Sequence, residues 1–114
     1  QGLEIENEHS FSSPSFTLMN LYEAKLPVYH FDFYRLKDDS DILETGIEDY
    51  FDGEGVILVE WADRNKTVLP HDTLNIILKY GPLDKPDKRI IYIYDPRNKY
   101  KNIIKELKNA YTGY

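Results

Sequence analysis

Hydrophobic and polar positions along this chain fall into short strand-like runs over most of its length and one helical stripe near its end. The most apolar run is Val56-Ile57-Leu58-Val59, closed by Glu60 and Trp61. Its shortness, its β-branching and the Phe51-Asp52-Gly53-Glu54-Gly55 turn ahead of it predict a strand buried on both faces and set centrally in a sheet. Residues 28–35 alternate instead. Tyr29, Phe31 and Phe33 share one face while His30, Asp32 and Tyr34 share the other, because successive side chains of a strand point to opposite sides. With the strand-like run Phe16-Thr17-Leu18-Met19-Asn20-Leu21-Tyr22 before it and Lys25-Leu26-Pro27 between, this strand completes a predicted hairpin.

Further on, Asp38-Asp39-Ser40 offers N-cap residues, Asp41 and Glu44 have capping-box spacing, and Ile42, Leu43, Ile47, Tyr50 and Phe51 form a stripe. A short helix is expected there, broken into two turns by Gly46. Residues 62–66 form a polar loop. Residues 73–80 and 89–94 then flank a Gly- and Pro-containing turn as a second predicted hairpin. Tyr100, Ile103, Ile104, Leu107 and Tyr111 recur with helical spacing, leaving Lys101, Lys105 and Lys108 turned outward. The stripe is narrow and its basic face sparse, so this helix is expected to pack on protein and not on a membrane.

Composition adds three constraints. Ten Tyr and five Phe against one Met and one Trp mean that much of the apolar burial must be aromatic. The net charge of −6 keeps the surface as a whole from attracting nucleic acid, so any RNA contact is expected to be local or made through a partner. The absence of cysteine excludes a disulfide framework, a zinc ribbon and a thiol nucleophile, and it fits a cytoplasmic location. No apolar run approaches the ~20 residues of a membrane span. Residues 1–13, polar and without an apolar stripe, read as a linker or the remnant of a preceding helix, and residues 14–114 as a single α/β domain.

An acid that closes an apolar strand lies at the carboxyl edge of a sheet, where open α/β folds bind their ligands. Taken alone, Glu60 reads as a solvated strand end and His30 as part of a wet face. Four blocks in order narrow the reading: Ser13-Pro14-Ser15-Phe16-Thr17-Leu18, the run from Leu26-Pro27-Val28 to Tyr34-Arg35-Leu36, Gly46-Ile47-Glu48-Asp49-Tyr50-Phe51, and Val59-Glu60-Trp61-Ala62-Asp63-Arg64. Together they resemble the TsaE (YjeE) family of bacterial P-loop ATPases that serve threonylcarbamoyladenosine modification of tRNA.

The resemblance implies a P-loop NTPase-like mixed sheet flanked by helices, hydrolysis of ATP with Mg²⁺, and action beside the TsaB and TsaD proteins. It makes Glu60 and Asp32 the acidic catalytic groups near the metal and the γ-phosphate, and Ser15 a third metal ligand where the family has threonine. Serine keeps the hydroxyl oxygen that a hard ion takes, though it rotates more freely. The nucleotide would lie among Trp61, Arg64, Ser13, Ser15 and Thr17. For Arg64 the alternative is a surface ion pair with Asp63 or Asp49.

One departure matters. The family's Gly-x-x-x-x-Gly-Lys-Thr loop occurs nowhere in these 114 residues, and with it go the backbone cradle and the lysine that neutralise phosphates. The expectation is therefore the carboxyl-terminal portion of such an ATPase, missing its first strand and P-loop helix and supplying the acidic half of a site. A non-catalytic protein-interaction module on the same fold is the alternative. Removing the first strand and helix uncovers apolar sheet surface, so the truncation reading carries an expectation of self-association or low solubility.

Overall fold

The structure is a computed structural model in which residues 18–111 are described. Contacts divide the chain into two compact units, one ending at Leu69 and the other beginning at Pro70, where the sequence reading treats residues 14–114 as one domain. Ser13, Ser15 and Thr17 lie outside the described residues.

In the first unit β1 (Met19–Tyr22), β2 (Val28–Asp32) and β3 (Val56–Glu60) form a mixed sheet in the order β1-β2-β3. The first pair is the expected antiparallel hairpin, and β3 runs parallel to β2 with Val28 opposite Val56 and Asp32 opposite Glu60. The middle strand is β2, which corrects the expectation that the Val56-Ile57-Leu58-Val59 run is central. Among the described residues β3 pairs on one side only, and Leu58 is 48% exposed. An aliphatic run records how much burial a strand can use, whereas its position depends on which other segments pair with it. The strand with a core face and two partners is β2, whose Phe31, followed by Phe33, is fully buried.

Phe31 and Phe33 pack with Leu36, Ile42 and Ile47 to make the core, and Tyr29, Tyr50, Phe51, Ile57 and Val59 close around it. The connection from β2 to β3 supplies the two isoleucines. Helix α1 (Asp39–Leu43) begins at Asp38, whose side chain accepts from the Asp41 N–H at 3.0 Å, while Asp41 accepts from the Lys37 N–H at 2.8 Å. The reciprocal capping thus sits at Asp38 and Asp41, three residues ahead of the expected Asp41–Glu44 pair, because Glu44 already falls at the helix's end. Gly46 takes a left-handed φ of 72° and separates α1 from a 3₁₀ turn over Ile47–Tyr50, as its sequence position predicts. Leu43, counted in the apolar stripe, faces solvent.

Gly55 turns the chain into β3 with φ 124°, and a Cβ built there would lie 2.5 Å from the Pro27 carbonyl oxygen. That oxygen accepts from the Val56 N–H at 2.9 Å, so the close approach starts the β2–β3 ladder. Gly55→Ala is expected to cost at least about 1–3 kcal/mol through backbone strain. Urea unfolding of the two chains measures it; an unchanged midpoint would show that the loop relaxes freely.

The second unit holds the predicted hairpin, β4 (Asn75–Tyr80) and β5 (Arg89–Tyr94), and the predicted helix α2 (Lys101–Tyr111). Ile93 and Ile104 are half-buried, yet no described residue after Leu69 is buried outright. Ile103, Leu107 and Tyr111 of the α2 stripe remain exposed. Two strands and one helix offer too little surface to cover an amphipathic face.

Candidate active site

The carboxyl ends of β2 and β3 are bound together. Beyond the last paired residues the Phe33 N–H donates to the Glu60 carbonyl at 3.0 Å, which keeps the two parallel strands in register where they end. Register partners on neighbouring strands present their side chains to the same face. Asp32 and Glu60 are such partners, so two carboxylates stand side by side at one sheet edge.

The environments of the two acids differ. Asp32 is 5% exposed, and its Oδ1 accepts from the Tyr34 N–H at 2.9 Å, an Asx-type contact that turns the chain out of the strand. Glu60 is half-exposed and bonds His30, whose Nε2 lies 2.8 Å from Glu60 Oε1. A carboxylate only accepts, so His30 Nε2 carries the hydrogen of this bond. His30 reaches it because it stands two residues before Asp32 on the same face of β2. The sequence placed His30, Asp32 and Tyr34 on one face, but its pairing with Glu60 depends on the β2–β3 register, which no local pattern encodes.

Immediately after Glu60 the backbone enters the left-handed region at Trp61, with φ 56° and ψ 34°. This is uncommon for a bulky residue and costs roughly 1–2 kcal/mol. The turn sets the indole 5.0 Å from the Tyr34 ring, at 55° to it, and leaves Trp61 53% exposed. Arg64, on the short 3₁₀ turn that follows, holds its guanidinium 4.9 Å from the centre of the same tyrosine ring. Trp61, Tyr34 and Arg64 thus form an exposed aromatic-cationic stack within four residues of one or the other acid. Sequence reasoning named Trp61 and Arg64 but overlooked Tyr34, the ring that joins them.

Among the described residues no group of three or more His, Cys, Asp or Glu side chains is arranged to hold a metal ion. The donor chemistry of Asp32 and Glu60 nevertheless fits Mg²⁺, a hard cation that takes oxygen ligands, keeps several waters and needs only one or two carboxylates beside phosphate. Two open surface depressions are lined wholly by second-unit residues, one of them by His71, Asp72, Arg97 and Lys99. The paired acids define the site better, because an open sheet edge need not be a closed pocket.

These features describe an α/β protein with a P-loop NTPase-like mixed sheet and an acidic carboxyl edge. The family model for "Threonylcarbamoyl adenosine biosynthesis protein TsaE" matches residues 1–90, and the chain belongs to the TsaE family. It is 39% identical to the tRNA threonylcarbamoyladenosine biosynthesis protein TsaE of Bacillus subtilis over 97 residues, an alignment covering 84% of this chain and 58% of that protein. The protein of the same name from Haemophilus influenzae is 33% identical over 106 residues, covering 92% and 65%. Among solved structures, the crystal structure of Bacillus subtilis YdiB superimposes with a TM-score of 0.66 at 34% identity, over 83% of this chain and 57% of that one. The chain thus spans between half and two thirds of the length of these relatives.

Proposed function

We propose that this chain supplies the acidic half of an Mg²⁺-dependent ATP-hydrolysing site in threonylcarbamoyladenosine modification of tRNA, working in the cytoplasm with TsaB and TsaD. The observation that carries the reading is the register of Asp32 with Glu60 at the carboxyl ends of two parallel strands. The names of the relatives support the pathway.

In this reading Asp32 and Glu60, with Ser15, hold the metal, which when bound neutralises phosphate charge. Glu60 orients the attacking water and takes its proton. His30 fixes the Glu60 carboxylate, which otherwise has several rotamers, and Asp32 is set by the Tyr34 N–H. Trp61 and Tyr34 offer aromatic faces to the nucleotide, and Arg64 offsets charge that develops on the transferred phosphoryl group. Positioning and charge stabilisation are the main demands of phosphoryl transfer.

Two carboxylates facing a triphosphate repel it unless lysine and backbone amides compensate, and these 114 residues contain no P-loop motif to provide them. Titration of the 114-residue chain with ATP–Mg²⁺, followed by Trp61 fluorescence, is expected to give no saturable change. The same residues preceded by a Gly-x-x-x-x-Gly-Lys-Thr segment are expected to bind and to release phosphate. Saturable binding and turnover by the 114 residues alone would contradict the reading. A second reading, a protein-interaction module without turnover, draws on the exposed Ile76, Leu78 and Ile91 of the second unit. It predicts that the added segment restores no hydrolysis.

A further inference from the structure

The net charge of −6 conceals a division between the two units. From Pro70 onward nine Lys and Arg stand against five Asp and Glu, a net of +4, whereas up to Leu69 five stand against fifteen, a net of −10. The basic side chains of the second unit are also clustered. Arg97, Lys99, Lys101, Lys105 and Lys108 all fall within residues 97–108, and all are exposed.

The cluster is held by structure. Asp95 accepts from the backbone N–H groups of Lys99 at 3.1 Å and Tyr100 at 2.8 Å, which closes the loop that leads into α2. Lys99 bonds Asp72 at 2.8 Å and lies 5.6 Å from the centre of the Tyr100 ring. That hydrogen bond, reinforced by charge attraction, holds the Asp72 carboxyl below its usual range and the Lys99 ammonium above its own. Lys99 therefore stays charged throughout the neutral range. On α2, Lys101, Lys105 and Lys108 follow i, i+4, i+7 spacing and border one open depression together, with Lys101 and Lys105 about 6 Å apart along the axis. Arg97 and Lys99 border a second depression.

We propose that this loop and the first two turns of α2 are a docking surface for the phosphate backbone of RNA. A row of exposed ammonium groups with no enclosed cavity suits repeated, sequence-independent charges, and each phosphate contact gains by releasing a condensed counterion. Screening over about 8 Å at physiological ionic strength confines repulsion by the chain's acidic residues to short range. The choice of RNA among polyanions rests on the proposed role in tRNA modification. The contact is local, as an acidic chain requires.

The test is fluorescence anisotropy of a labelled, unmodified tRNA transcript with the 114-residue chain at about 50 and 200 mM salt. With four phosphate contacts the affinity is expected to fall roughly 50- to 150-fold between these conditions. Lys101→Gln with Lys105→Gln removes two contacts and is expected to shrink that fall to roughly 7- to 12-fold. Glutamine keeps good helix propensity, so α2 should persist, as far-UV circular dichroism will show. Arg97→Gln, outside the helix, should remove one contact's worth of salt dependence without touching α2. Lys37→Gln with Lys66→Gln in the first unit should change nothing. The proposal is overturned by absence of binding at the lower salt, by a salt dependence indifferent to the second-unit substitutions, or by polyglutamate displacing the RNA at equal charge concentration. This assay needs no nucleotide. Loss of the ATP-site reading and loss of RNA docking are therefore separately visible.

Discussion

Glu60→Gln, in a chain preceded by a P-loop segment, is expected to lower ATP turnover by about 10²- to 10⁴-fold, the usual contribution of a general base. The substitution keeps the side chain's shape and an oxygen that accepts from His30 Nε2–H, so the fold and the 2.8 Å contact have no reason to change. Glu60→Gln also removes a charge proposed to hold Mg²⁺, so more Mg²⁺ should be needed for binding; at saturating Mg²⁺, binding of ATP–Mg²⁺, read from Trp61, should survive while phosphate release fails. Unchanged turnover would remove Glu60 from the proposed role. His30→Ala should give a smaller loss, partly restored by His30→Gln, whose amide again donates to the carboxylate. If His30 were merely structural, both variants would lose stability with turnover per folded molecule intact.

Asp32 is expected to show two separable effects, because its carboxylate is both nearly buried and bonded to the Tyr34 N–H at 2.9 Å. Asp32→Ala removes the acceptor and leaves that N–H without it, at a cost of about 1–3 kcal/mol in unfolding experiments. Asp32→Asn keeps an acceptor oxygen at the same place and should cost less. Both remove a charge proposed to hold Mg²⁺, so in the chain with the added segment both should need more Mg²⁺ for whatever turnover remains. Full turnover of Asp32→Asn at every Mg²⁺ concentration would sink the metal assignment, and equal stability of the two variants would sink the structural one.

What the sequence determined by itself was local. Both hairpins, the break at Gly46 and the extent of α2 follow from turn chemistry and periodicity that act within a few residues. The alternation in β2 also sorted Phe31 and Phe33 from His30 and Asp32, since a period of two assigns faces without reference to any neighbour. Which strands become neighbours is a different question. The register that sets Asp32 beside Glu60, the His30 contact that follows from it, and the one-sided pairing of β3 among the described residues all depend on residues more than twenty apart in sequence. They go with a core in which Ile42 and Ile47, from the connection between β2 and β3, pack on Phe31 and Phe33. The left-handed turn at Trp61 likewise contradicts the preference of a bulky residue, and it occurs where the chain leaves β3 and the indole meets the Tyr34 ring. Charge behaved in the same way. A sum over 114 residues gives −6, and only the division into units shows that the residues from Pro70 onward carry a net positive charge of their own.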